Sequence, residues 1–352
     1  MQPYIPQPYA VQFELSSICN LKCYGCVRID STTWDTSDAF KKNVTLDLEV
    51  FKRIIDSEIV QQHVKKIEFC GVIDEPTSHP QFLDMLRYIA GRFQINIHSN
   101  CSVRRPAYWH EMAEILKGTN HCLLANIDGL EDTNHIYRRG ANWNKIVENV
   151  KAFCDNDGEA RWQMLVFPWN EHQVEDVKKF AKSIGCYEFK SRHNRSYLPD
   201  FDDKGNPIPE EPDFVDWEGF VEENNQKSNQ PNNEIQCKFQ EDEMYFVSYD
   251  GKLWPCCFIA NRMVDTSDGY EVLEKMNERY SHYGENWNCL YTRSFDDIVK
   301  NDFYTNDLVE SFGNTSHGTG KCDRIIKCTN SCTQKRRIEV PFQDINENIP
   351  LI

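Results

Sequence analysis

"YAVQFELSSICNLKCYGC", residues 9–26, decides the fold. Its first half, "YAVQFELSS", is an apolar run that reads as a β-strand. Its second half is a short polar loop that places Cys19, Cys23 and Cys26 at spacings of three and then two residues, with no fourth cysteine close behind. Among parallel strands with crossover helices, reactive groups collect on the loops that leave the C-terminal strand ends. A structural zinc site is normally closed by four protein ligands. Three thiolates leave one metal position open, which suits a 4Fe–4S cube whose fourth iron takes a chelating amine and carboxylate. A three-cysteine zinc or redox loop is the plainer alternative.

Outward from this stretch, strand-like and helix-like patterns alternate as far as residue 196. "TLDLEVFKRIIDSEIVQQH" predicts one amphipathic helix with Thr45 as its cap, and "KKIEFCGV" the second strand. The strands "INIHSN", "CLLANIDG", "ARWQMLVFP" and "YEFKSR" follow, separated by helical patterns such as "PAYWHEMAEILK" and "HQVEDVKKFAKSIG". The expected fold class is α/β: a partial (β/α)6 TIM-like barrel over residues 1–196. Residues 197–235, acidic and rich in Pro and Asn, are expected to be a linker. Residues 236–352 are expected to form a small cysteine-rich domain opened by "MYFVSYDGKLWPCCF", a hairpin turning at Asp250-Gly251.

Composition narrows the function classes. The 39 basic against 55 acidic residues give a net charge of −16, so extensive nucleic-acid binding is not expected, because phosphate contacts need clustered Lys and Arg. "KRR" at 335–337 is too short to change that. No apolar run approaches a bilayer span, and "MQPYIPQPYA" lacks the features of a secretory signal, so no membrane association and a cytoplasmic location are expected. Fifteen cysteines in a reducing compartment point to metal binding or catalysis rather than disulfides. Cys70, Cys101, Cys122, Cys154, Cys186 and Cys289 sit singly and read as small buried hydrophobes.

The Cys-x3-Cys-x2-Cys spacing directly after a first strand resembles the radical S-adenosylmethionine superfamily. Further segments fall where that family places its motifs. "GVIDEP", Gly71 to Pro76, resembles its Gly-Gly-Glu-Pro stretch, with Glu75-Pro76 intact and Ile73-Asp74 in front. "HSN", residues 98–100, resembles the segment that touches ribose and methionine, and "NIDGLEDTNHIYRRG", residues 126–140, the Ser-x-Asp-Gly segment with its downstream arginine. The resemblance therefore implies Cys19, Cys23 and Cys26 as ligands of a 4Fe–4S cluster, and Glu75, Ser99, Asn100, Asn126 and Arg138 as contacts of S-adenosylmethionine. Gly25, with Tyr24 one place earlier, departs from the usual aromatic residue before the third cysteine. The implied activity is reductive cleavage of S-adenosylmethionine to a 5'-deoxyadenosyl radical that takes a hydrogen atom from substrate.

A second set, Cys237, Cys256, Cys257, Cys322, Cys328 and Cys332, resembles the SPASM and twitch extensions that hold auxiliary 4Fe–4S clusters. Thr319 stands where the two-cluster pattern has a cysteine, and none follows Cys332, so one auxiliary cluster is expected. Its ligands by resemblance are Cys237, Cys256, Cys332 and either Cys322 or Cys328, with His317 as an odd alternative. A structural zinc knot is the competing view, since zinc too fits four thiolates. Cys257 stands where sulfatase-maturing relatives carry a proton-accepting aspartate, and is either a catalytic hydrogen or proton donor or a packed thiol. The resemblance implies an enzyme, oxidoreductase-like or epimerase-like, acting on a peptide or protein side chain, with a flavodoxin- or ferredoxin-type electron donor. Alternatives are a dehydrogenase or epimerase of a sugar, cyclitol or nucleotide sugar, and a non-catalytic iron–sulfur or zinc protein. Trp162, Trp169 and Arg192 read as cavity lining or as core packing.

Overall fold

Six strands stand side by side in the order β6-β5-β4-β3-β2-β1: β1 (Ala10–Phe13), β2 (Lys66–Phe69), β3 (Gln94–Ser99), β4 (His121–Asn126), β5 (Ala160–Val166) and β6 (Glu188–His193). They come from a computed structural model that describes residues 7–30, 33–70, 72–193, 235, 237–262, 270–314, 320–323, 325 and 328. The pairings from β2 through β6 are all parallel, with Glu68 opposite Asn96, His98 opposite Leu124, Asn126 opposite Gln163 and Leu165 opposite Arg192. This is the open, partial barrel expected from the alternating pattern. The contacts group the described residues into two compact units, residues 12–52 with 65–193, and residues 7–11 with 53–64 and 235–328.

Alternation sorts the side chains of the first unit onto two unlike faces. On one, Phe13 packs against Phe51 of α1 (Leu48–Ile55), and Phe69 meets Phe82 of α3 (Phe82–Ile89) edge-on at 5.0 Å. Trp162 on the same face is fully buried against Trp143 of α6 (Trp143–Cys154) and Phe180 of α7 (Val174–Ser183). Its indole N–H donates to the Ile127 carbonyl at 2.9 Å, so Trp162 is core. The registers put Lys66, Glu68, Asn96, His98, Asn126, Arg161, Gln163, Lys190 and Arg192 on the opposite face, which Gln12 joins through its hydrogen bond to Glu68. Polar side chains predominate there, with Cys122, Leu124 and Leu165 among them.

Two local expectations change. The single helix read over residues 45–63 is two, α1 and α2 (Glu58–His63). Ser57 sends both its amide and its hydroxyl to the Ile54 carbonyl, at 3.2 and 2.7 Å, which ends α1. The cap is Asp47 rather than Thr45: Asp47 Oδ1 accepts from the amides of Glu49 and Val50 at 2.8 and 3.2 Å. Between β4 and α6 there is also a short helix, α5 (Glu131–Tyr137), which the sequence pattern does not single out. The helix after β3, α4 (Pro106–Leu116), is as expected.

In the second unit β7 (Met244–Val247) and β8 (Leu253–Trp254) pair antiparallel, with Phe246 opposite Trp254. Gly251 turns the chain at φ 73°, and a Cβ there would meet the Tyr291 ring at 2.4 Å, so the expected Asp-Gly hairpin needs its glycine twice over. Trp254, Tyr280, Trp287, Phe303 and Tyr304 form a contiguous aromatic core. Apart from Ile235, the expected linker 197–235 lies outside the described residues, as do His317, Cys332 and residues 335–337.

Candidate active site

Cys19, Cys23 and Cys26 follow β1 on one loop, each half-buried. Gly25, at φ 67°, gives the left-handed turn that brings Cys26 back so that its amide donates to the Cys23 carbonyl at 3.3 Å. An aromatic residue at that position would be strained. The aromatic is Tyr24 instead, buried edge-on to Trp34 with the Arg139 guanidinium over its ring. The Lys22 amide donates to the Arg139 carbonyl at 3.0 Å, which ties the loop to the segment after α5.

Burial pushes all three thiols up. For Cys19 the Glu75 carboxylate adds to it. Cys23 reaches about 11 although the Arg138 charge pulls against burial. At Cys26 the Arg28 amide and guanidinium oppose burial. Cys19 and Cys23, and Cys23 and Cys26, are electrostatic neighbours. Three desolvated sulfurs on one loop that resist ionisation alone are a donor set that a metal cluster fits, because its positive charge stabilises the thiolates.

Two polar networks meet this loop. In the first, buried Glu75 accepts from Ser99 Oγ and Thr77 Oγ1, both at 2.7 Å, and from the Asn100 amide at 2.7 Å. Asn100 Nδ2 donates to Asn20 Oδ1 at 3.0 Å and toward Cys19 Sγ at 3.8 Å. Glu75, Ser99 and Asn100 are thus brought together beside Cys19. In the second, Arg138 Nε donates to Asp128 Oδ2 at 2.6 Å, and the guanidinium also hydrogen-bonds the Cys23 side chain. Asp128 is itself held, its Oδ1 accepting from the Leu165 amide at 2.6 Å. Asn126 ends β4 opposite Gln163, on the polar face.

Asp128 orients Arg138; the sequence places it in the Ser-x-Asp-Gly-like segment without a role of its own. The Asp-Gly pair ten residues before the arginine was the available signal. Trp169 stacks on Phe167 at 4.5 Å, and Arg192 lies on the polar face. Among the scattered cysteines, Cys154 and Cys186 hydrogen-bond each other, and Cys122 contacts the Tyr187 hydroxyl at 3.2 Å.

In the second unit, buried Cys256 has Cys328, Cys257 and Cys237 as its sulfur neighbours. Cys322 stands with other company. Its thiol lies 3.7 Å from Asp307 Oδ1 and also contacts Glu310, and burial with these two carboxylates raises it to about 11. Of the two cysteines left open by the sequence, Cys328 is the one beside Cys256. Cys257 begins the helix Cys257–Arg262 and is buried among the same thiols.

A parallel α/β sheet with three thiols at one strand end, backed by a buried carboxylate and an arginine, defines a cluster-binding enzyme domain. Residues 13–181 match the Radical SAM superfamily, and the chain carries a domain of that superfamily, whose cofactors are a 4Fe–4S cluster and S-adenosylmethionine. The tungsten-containing aldehyde ferredoxin oxidoreductase cofactor-modifying protein of Pyrococcus furiosus is 32% identical over 103 residues, which cover 29% of this chain and 26% of the relative. The antilisterial bacteriocin subtilosin biosynthesis protein AlbA of Bacillus subtilis is 25% identical over 189 residues, covering 52% of this chain and 39% of AlbA. The matches thus span less than half of either relative. The solved structure of histidine-tagged anSMEcpe with bound AdoMet superposes with a TM-score of 0.52 at 15% identity, over 87% of this chain and 81% of that one, which supports the fold. Among the described residues no helix is long and apolar enough to cross a membrane.

Proposed function

We propose that the chain is a radical S-adenosylmethionine enzyme that takes a hydrogen atom from a peptide or protein side chain. One observation carries this reading: two sets of residues expected to hold the nucleotide meet the cysteine loop, Glu75, Ser99 and Asn100 through Asn100 beside Cys19, and Arg138 at Cys23. Cys19, Cys23 and Cys26 would hold the cluster, which with S-adenosylmethionine supplies one-electron carbon–sulfur cleavage and hydrogen abstraction. Glu75 presents a buried carboxylate for an amine, with Ser99 and Asn100 orienting it. Arg138, fixed by Asp128, presents its guanidinium for a carboxylate. Asn126 faces the same interior.

Residues 1–196 form the catalytic barrel in this reading, 197–235 the linker, and 236–352 a SPASM- or twitch-like domain. Cys237, Cys256, Cys328 and Cys332 would hold one auxiliary 4Fe–4S cluster. Cys257, buried beside Cys256, is the candidate hydrogen or proton donor. The peptide assignment is supported by the name of AlbA, a bacteriocin biosynthesis protein. The enzyme works in the cytoplasm with a flavodoxin- or ferredoxin-type reductant. A second reading, a sugar or cyclitol substrate, is favoured by the amides Gln12, Asn96 and Gln163 on the polar face, which suit hydroxyl groups.

Anaerobically reconstituted protein given dithionite and S-adenosylmethionine is expected to release 5'-deoxyadenosine, and Cys26→Ala to release none. A wild-type protein with full iron and sulfide that yields none refutes the reading. Deuterium transfer from labelled peptide, but not from labelled polyol, into 5'-deoxyadenosine separates the two substrate classes.

A further inference from the structure

Glu14 and Asp74 are buried carboxyl groups, and each holds the backbone that carries the other. Glu14 Oε1 accepts from the amides of Ile73 and Asp74, at 2.7 and 2.5 Å. Asp74 Oδ2 accepts from the amides of Leu15 and Ser16, at 2.9 and 3.0 Å. The Glu14 charge also bears directly on Asp74, and two carboxylate anions buried so near one another repel, so one of them takes a proton. Glu14 Oε2 has the Cys70 thiol at 3.6 Å as a further donor. Asp74 Oδ1 is buried and has no donor in the structure, so it is the oxygen left to carry a hydrogen.

We propose that Glu14 and Asp74 share one proton, on Asp74 Oδ1 and donated to Glu14, and that this pair positions Glu75 and the cysteine loop. The clasp joins Glu14, directly after β1 and five residues before Cys19, to the residue immediately before Glu75. The Glu75 amide then reaches the Ile18 carbonyl at 2.9 Å and completes the tie. Neither carboxyl is assigned contact with substrate or cofactor, so both are positioning residues. Their role in the reaction rests on the function proposed above, whereas the shared proton does not.

The groups facing the pair agree with a protonated member. Glu75 bears on Asp74, Cys70 donates to Glu14, and the Glu14 charge reaches Cys26. Burial followed by the Glu14 charge holds Asp74 well above the usual carboxylate range, and burial raises Glu14 as well. The folded protein therefore binds one proton more than the unfolded chain across the window between the ordinary carboxyl range and the raised value of Asp74. Stability falls as pH rises through that window and the clasp is lost above it.

The test compares reconstituted wild type with Asp74→Asn, Glu14→Gln and Asp74→Ala. Infrared spectra in mildly alkaline buffer are expected to show a protonated-carboxyl C=O band in wild type and to lose it in Asp74→Asn and in Glu14→Gln. Thermal unfolding against pH should lose one proton's worth of slope in both amide variants. Asn keeps both the donor and the acceptor of a protonated Asp. Asp74→Asn should therefore retain 5'-deoxyadenosine formation within about twofold, while Asp74→Ala falls roughly tenfold or more. No infrared band, an unchanged pH slope, or an Asp74→Asn variant as damaged as Asp74→Ala would overturn the proposal. If Asp74→Ala fails to fold, the band and the slope still decide. If wild type with full iron and sulfide makes no 5'-deoxyadenosine either, the functional reading fails and those two measurements judge the shared proton alone.

Discussion

Glu68 shows how single side chains set the character of the polar face. It accepts from Gln12 Nε2 at 2.9 Å and pairs with Lys66 at 2.5 Å and His98 at 3.5 Å. Burial acts to raise its carboxyl, but the His98 hydrogen bond and the Lys66 charge outweigh it and hold the group at about 2. A depressed carboxyl stabilises the fold above its unfolded value near 4.5, and that contribution is lost as pH falls through 2. Glu68→Gln is therefore expected to lower the melting temperature at neutral pH and to converge with wild type in strong acid, as followed by circular dichroism. At this scale the sequence revealed the residues with a chemical signature: the three spaced thiols, the Glu75-Pro76 pair and Arg138. Glu14 was not singled out, and Asp74 and Asp128 stood in the quoted segments without a role, because their partners are backbone amides and one buried arginine, and such partners leave no spacing rule in a sequence.

The elements were legible wherever packing and periodicity agree. Parallel strands covered on one face by helices keep Phe13, Phe69 and Trp162 out of phase with polar neighbours, and all six strands were found from that pattern. The break between α1 and α2 was not, since the apolar stripe runs on across it while Ser57 redirects the Ile54 carbonyl. Thr45 looked like a cap by residue type, but the amides of the first turn are reached by Asp47. Asp47→Ala should cost about 1 kcal/mol in a denaturant melt, and Thr45→Ala much less, because only the first leaves first-turn amides unpaired.

For the molecule as a whole, two sets of thiols lie in two separately packed units, 12–52 with 65–193 on one side and the hairpin unit on the other. Reading the sequence separated these sets by position alone, but choosing between Cys322 and Cys328 needed folded neighbours. Asp307 and Glu310 surround Cys322, whereas Cys328 has Cys256 beside it. If the chain holds two cubanes, as proposed above, iron analysis should give about eight atoms in wild type and about four in Cys328→Ala. Cys322→Ala should keep the wild-type count. If both variants lose iron alike, the neighbourhood of Cys322 has been misjudged.

The two unlike surfaces of the six-stranded sheet carry a consequence for how such a protein can diverge. Greasy residues that glue strands to helices and hydrophilic residues that look inward occupy alternate positions on the same strands. Exchanges at Gln12, Asn96, Gln163 or Arg192 can therefore redraw what the interior accepts while the scaffold keeps its thermodynamic footing, so new specificities are reachable in single steps.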